Sequence, residues 1–240
     1  MGNKILFKAR NSWAFETCPK PYPASAAIPK WWKDQPPYLP SEKDPTGRTL
    51  SLDNRVSNAT FKKCTPMLDT LTLGYVVPLF TDVLISQHSS GPGIAWKTVG
   101  GEPFAEHGLT SVDVERPAEF GKSTMKYNSY WTVKTPPGYS CLIVHPYGYR
   151  NSPLRAVEGV IDTDRYPLDI SLPVWIRNGF EGVVEKGTPI CQIIPFKRDD
   201  WKSTFDFYPD GEYDRVIDRT IGSTIINHYV KNFWSKKSYK

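Results

Sequence analysis

The sequence predicts a mainly β protein, a barrel or sandwich core preceded by an irregular arm and followed by a helix. Three observations carry that expectation. The 240 residues include 22 prolines, 8 tryptophans, 13 tyrosines and 11 phenylalanines, which favours short strands and tight turns over long helices. Short apolar runs separated by turn residues recur at regular spacing between Lys62 and Arg198. Helical spacing of apolar residues is confined to the last stretch, Tyr213 to Trp234.

Residues 1–61 read as a Pro/Trp-rich arm. One strand is expected over Lys4 to Lys8. After it Pro19, Pro21, Pro23, Pro29, Pro36, Pro37, Pro40 and Pro45 remove backbone donors and disfavour helix, which predicts an extended or irregular path. Trp31 and Trp32 make the arm too apolar for a free linker, so both rings are expected to be buried on the core or on a neighbouring subunit. The core spans 62–200. Its expected strands are 74–79 and 82–86, joined by a turn, then Asn128 to Lys134 and Ser140 to His145. The turn Pro136-Pro137-Gly138-Tyr139 separates the latter two. Further strands are expected at Ala156–Ile161, Leu168–Ile176, Gly182–Glu185 and Ile190–Phe196, with long loops or a hairpin excursion over 86–127. In the extension 201–240, Val216, Ile217, Ile221, Ile225, Tyr229 and Phe233 share one helical face. Asp210 or Asp214 would cap its start, and Lys231, Lys236, Lys237 and Lys240 suit its negative end.

The charge balance, 30 Lys+Arg against 25 Asp+Glu, leaves only +5. That excess gives solubility and weak attraction to anions and falls short of a nucleic-acid footprint. Cys18, Cys64, Cys141 and Cys191 are scattered, without a Cys-x-x-Cys pair, which argues against a structural zinc site. No secretion-signal core and no apolar run of roughly 20 residues is present, so the sequence predicts a cytoplasmic protein without membrane partners.

The candidate chemistry lies at one strand end. Asp162 and Asp164 follow the apolar run Gly159-Val160-Ile161 and precede Tyr166. Carboxylates at the rim of a barrel can hold a metal or orient a water, and a nearby Tyr can stack on a sugar or base. Equally, this is a solvated turn whose carboxylates cap backbone donors. His145, at the end of an apolar strand, reads as a hydrogen-bonded wall residue.

In order and spacing, Pro136-Pro137-Gly138-Tyr139, Gly159-Val160-Ile161-Asp162 and Lys186-Gly187-Thr188-Pro189-Ile190-Cys191-Gln192-Ile193-Ile194 resemble the motifs of dUTPases. The resemblance covers roughly residues 66–200. The whole chain looks closest to an uncharacterised phage and bacterial family sharing that core. It implies a β-clip jelly-roll barrel, a homotrimer and a host-cytoplasmic or virion location. Asp162 would be the water-orienting base, Tyr166 the ring under the deoxyribose, and Gly159 and Arg150 further ligand contacts. Magnesium would span the phosphates.

Departures from that pattern decide the functional expectation. Tyr166 falls one residue later than in dUTPases, and a one-residue offset on a strand reverses the face. Where the phosphate loop belongs, His145 to Arg150 keeps only Arg150, a single bidentate clamp for about four negative charges. A helical pattern replaces the Gly-rich closing arm. The dCTP deaminase reading lacks its glutamate, since Ile170-Ser171-Leu172-Pro173 supplies none. The expectation is therefore a non-catalytic dUTPase-like barrel, structural or ligand-binding, with no cofactor. The alternative is a divergent Mg-dependent nucleoside triphosphate pyrophosphatase, with Asp162, Asp164, Tyr166 and Arg150 as its site. A nucleotide is the candidate ligand.

Overall fold

A computed structural model describes residues 4–39, 59–89, 91–97, 100–106, 115–221 and 228–240, without the side chains of 122, 123, 219–221 and 228. The chain divides into two compact units, one comprising Met1–Arg198 with Tyr239–Lys240 and the other Asp199–Ser238.

The first unit is built from three antiparallel sheets. The first contains β1 (Leu6–Ala9), β6 (Phe104–Glu106), β7 (Phe120–Lys134), β9 (Leu154–Ala156) and β11 (Asp169–Arg177). β7 is its spine, with β11 on one edge and β1 and β6 sharing the other. In the second sheet the order is β10 (Gly159–Ile161), β8 (Tyr139–Val144), β13 (Pro189–Lys197), β3 (Tyr75–Pro78) and β2 (Tyr22–Pro23). A third, smaller sheet orders β12 (Gly182–Val184), β4 (Val83–His88) and β5 (Gly91–Trp96). The mainly β class is thus present. No ladder among the described residues closes on itself into a barrel.

Strand chemistry follows position. β11 alternates buried and half-buried residues, as a strand with one face on the core should. β3 is buried along its whole length and β13 along Pro189 to Ile194, so both read as continuous apolar runs. The three sheets converge on one core, with Leu172 and Val174 from the first, Ile143 and Ile193 from the second, and Val83 and Ile85 from the third. Two buried polar groups tie the layers. Tyr127 donates its hydroxyl to the Pro78 carbonyl at 2.8 Å. Gln192 donates to the carbonyls of Thr70 and Leu73 and accepts the Tyr147 amide, so its amide is satisfied inside the core.

The N-terminal segment is woven into these sheets through β1 and β2 and also forms two short helices, where an extended or irregular path was expected. α1 (Ser12–Thr17) lies ahead of the first proline and is capped by Asn11, whose side chain accepts the Ala14 amide at 2.8 Å. α2 (Lys30–Asp34) begins directly after Pro29, in a window free of proline. Trp32 is buried, but Trp31 keeps 43% of its surface exposed and donates its indole N–H to the Gly148 carbonyl. The β region also holds an unforeseen helix, α3 (Thr65–Thr72), with Pro66 in its first turn, where proline costs no hydrogen bond.

Other boundaries differ for local reasons. The expected strand 156–161 splits into β9 and β10, which pair in different sheets. Strands β3 and β4 likewise lie in separate sheets rather than in one hairpin. β7 runs for 15 residues through an irregularity at Tyr130, whose φ of 60° is the single positive value at a non-glycine among the described residues. The excursion 86–127 contains β5 and β6 in its described parts. In the second unit, α4 (Glu212–Ile221) and α5 (His228–Asn232) occupy the expected helical stretch, while residues 222–227, with Ile225, lie outside the described residues. Asp214 sits inside the first turn of α4, where it complements the dipole instead of capping the end. No helix among the described residues is long and apolar enough to cross a membrane.

Two glycines separate conformational strain from steric exclusion. Gly187 has φ of 89° with open space around a notional Cβ, whereas at Gly74 (φ 71°) that atom would lie 2.0 Å from the Ile193 carbonyl oxygen. Gly187→Ala should therefore cost about 1–2 kcal/mol from the left-handed conformation alone. Gly74→Ala should cost about 3 kcal/mol or more, because β3 must also move off β13. Urea midpoints of the two variants check the difference.

Candidate functional site

β10 is an edge strand, paired only with β8, and its register places Ile161 opposite Cys141. The chain then turns sharply. The amides of Arg165 and Tyr166 both donate to the Asp162 carbonyl, at 2.9 and 2.8 Å, closing a single helical turn. Thr163, 1% exposed, pins this turn inward through Thr135 Oγ1 at 2.7 Å and Cys141 Sγ at 3.3 Å. With Thr163 fixed, the carboxylates on either side face the end of the second sheet.

Both carboxylates meet Arg198, the residue after β13. Its guanidinium grips Asp164 as a fork, Nη1 to Oδ1 at 3.0 Å and Nη2 to Oδ2. Nη1 also reaches Asp162 Oδ1 at 3.3 Å, the Tyr139 carbonyl at 2.9 Å and Ser140 Oγ at 2.8 Å. The Ser140 hydroxyl donates to Asp162 Oδ1 at 2.6 Å, and the Gly138 amide donates to Asp164 Oδ2 at 2.9 Å. Asp164 is consequently 7% exposed at its side chain, against 55% for Asp162. The Arg198 fork, aided by the Gly138 amide and opposed by desolvation, holds the Asp164 carboxyl down at about 2. The same pairing raises Arg198 further.

Beside this clamp lies a shallow, open depression of about 560 Å³, lined by Val160, Ile161, Asp162, Arg165 and Tyr166. Asp162 and Tyr166 are thus brought together, with Asp162 Oδ2 free of partners among the described residues. Asp164 turns away into the clamp. Gly159 stands exposed on β10 with nothing within 4 Å of a notional Cβ, so no close approach requires glycine there. Arg150 does not join the others. It lies in the loop after β8, beyond His145, whereas Asp162 meets β8 at Ser140, and its carbonyl accepts from Arg177. The site expected from Asp162, Asp164, Tyr166 and Arg150 is therefore split between two ends of one strand.

His145 is the wall residue expected from the sequence. Its Nε2–H donates to the Tyr149 carbonyl at 3.0 Å, and its Nδ1 accepts the Ala156 amide at 3.4 Å. Burial pushes its pKa down, so the neutral ring serves as a structural link.

The donor set does not fit a protein-held magnesium. Asp164 is fully used by Arg198, and Asp162 offers one free oxygen beside the same cation. Among the described residues no group of three or more His, Cys, Asp and Glu side chains is placed to hold a metal. Arg198 and Ser140 were not foreseen as members of this site. Arg198 stands 34 residues beyond Asp164 in a charged run after a strand, and nothing in the spacing connects them. Neither a protein-family model nor a curated protein matches this chain.

The clamp should leave a pH signature. Above its ordinary value of 3.8, Asp164 is ionised in the folded and unfolded chain alike and the pair contributes fully. As pH falls from 3.8 toward about 2, the unfolded chain takes up the proton first and that contribution drains away. Wild-type denaturation midpoints should therefore drop over this interval. An Arg198→Met variant, less stable at neutral pH, should show a shallower drop.

Proposed function

We propose that this chain is a non-catalytic binding or structural protein with a dUTPase-like β-clip core, of the phage and bacterial kind its motifs resemble. One observation carries the reading. The acidic turn that a nucleotide hydrolase would keep available for water and metal is tied up by Arg198, Ser140 and Gly138. Asp164, forked to Arg198, is a poor general base because the cation stabilises its ionised form, and Asp162 has one oxygen engaged by Ser140 and Arg198. The split between Arg150 and Asp162 supports the same conclusion, since a triphosphate needs several donors converging on one place. Binding falls to the depression, where Tyr166 and Val160 offer an apolar floor and Arg165 a cation at the rim. A planar ligand bearing an anionic group suits that combination, a nucleotide among them.

The alternative, a divergent Mg-dependent pyrophosphatase with Asp162 orienting the water, retains one observation. Asp162 and Tyr166 do share the depression, and Asp162 keeps an open oxygen. The two readings separate in one assay. With magnesium and dUTP, dCTP or dTTP, the purified chain should release no pyrophosphate above background. Turnover abolished by Asp162→Ala would establish the hydrolase instead.

Assembly as a homotrimer is part of the proposal, following from the resemblance. Light scattering should give about three times the 27.3 kDa chain mass at micromolar concentration. A mass of one chain counts against the assembly.

A further inference from the structure

Residues 199–214 combine two properties that rarely occur together without a partner. Trp201, Phe205 and Phe207 are 88%, 95% and 83% exposed, and no helix or strand is present before Glu212. Such rings normally lie in cores or interfaces. Around them stand six carboxylates, Asp199, Asp200, Asp206, Asp210, Glu212 and Asp214, against the single cation Lys202. The stretch therefore carries −5. Residues 199–240 contain seven cations and seven carboxylates, so the whole +5 of the chain belongs to residues 1–198.

We propose that residues 199–214 form an acidic-aromatic arm that docks on a second copy of this chain. Charge complementarity identifies the occupant. An arm of −5 repels phosphate-rich partners and is drawn to positive surface, and residues 1–198 of the same chain carry the opposite net sign. The best-matched acceptor is the surface around α2 and the turn Phe61–Lys63. Lys62 fixes that turn on α2 by donating to the Trp32 and Lys33 carbonyls, at 2.7 and 3.1 Å. Lys63 lies over the Tyr38 ring. Lys33 and Lys30, the latter paired with Asp34, stand on α2 beside Trp31, and Phe61 is 64% exposed. Aromatic rings between lysines suit aromatic rings between carboxylates.

Area supports the same occupant. Three rings of this size bury roughly 200 Å² each, and a comparable area of acceptor. One docked arm then covers about 1,200 Å², the lower bound of a specific interface, and reciprocal docking multiplies it. Rim charges set the pairing and the rings supply the affinity.

The arm and the acidic turn at Asp162 are independent features: pyrophosphate release would overturn the proposed function and leave the arm untouched. The test is light scattering on the full chain over a range of micromolar concentrations. Wild type should give a multiple of 27.3 kDa. Trp201→Ser/Phe205→Ser/Phe207→Ser, whose side chains are exposed within the single chain, should keep the far-UV circular dichroism of the folded protein and weaken association about ten-fold or more. Reversing the acceptor (Lys30→Glu/Lys33→Glu/Lys63→Glu) or the arm (Asp199→Lys/Asp200→Lys/Asp206→Lys) should each weaken self-association, and mixing the two variants should restore it. A monomeric wild type overturns the proposal. So does an oligomer whose mass is indifferent to the triple serine variant, or a charge-reversed pair that fails to recombine.

Discussion

The Arg198 guanidinium holds together three segments that are distant in sequence, the turn before β8, the acidic turn after β10 and the end of β13. These strands are neighbours in the second sheet, and their ends bring a carbonyl, a hydroxyl and two carboxylates together with no other cation among the described contacts of that cluster. One planar cation with a forked set of N–H groups satisfies most of them. A lysine could not replace it, because a single ammonium offers no fork for Asp164 while also reaching the Tyr139 carbonyl and Ser140. With Asp164 almost sealed from water, removing either partner strands the other as a poorly solvated charge.

That constraint sets what the adjoining surface can do. Asp162 borders the clamp rather than standing alone: its Oδ1 meets Ser140 and Arg198, while the residue also lines the depression. Under the proposed reading, the surface it shares with Tyr166 and Val160 serves as an apolar shelf with an acidic edge. Such a shelf can hold a ring.

Strand positions were legible where burial on both faces wrote a continuous apolar run, as in β3, β8 and β13, or where alternation was clean, as in β11. Helices were legible only with several turns of periodicity, which α4 possesses and α1, α2 and α3 do not. α3 spans only eight residues, and Pro66 falls in its first turn, where proline begins a helix rather than ending one. β5 was hidden by Gly91 and Gly93, since glycine weakens the strand signal while its backbone still pairs. At the site, Asp162 and Tyr166 were visible because a short turn keeps them adjacent in space as in sequence. The Arg198 partnership was invisible for the opposite reason. It depends on β13 lying beside β8, a fact of sheet order that no local spacing records.

Sheet order also bears on assembly. Ser140, which meets Asp162, and His145, which begins the loop carrying Arg150, are five residues apart along β8, about 17 Å on an extended strand. The expected constellation is thus divided on one chain, with Asp162 beside one end of β8 and Arg150 in the loop that leaves the other. A copy whose Asp162 end met the Arg150 end of another would bring the two parts toward a single molecule, which links the nucleotide question to the association question.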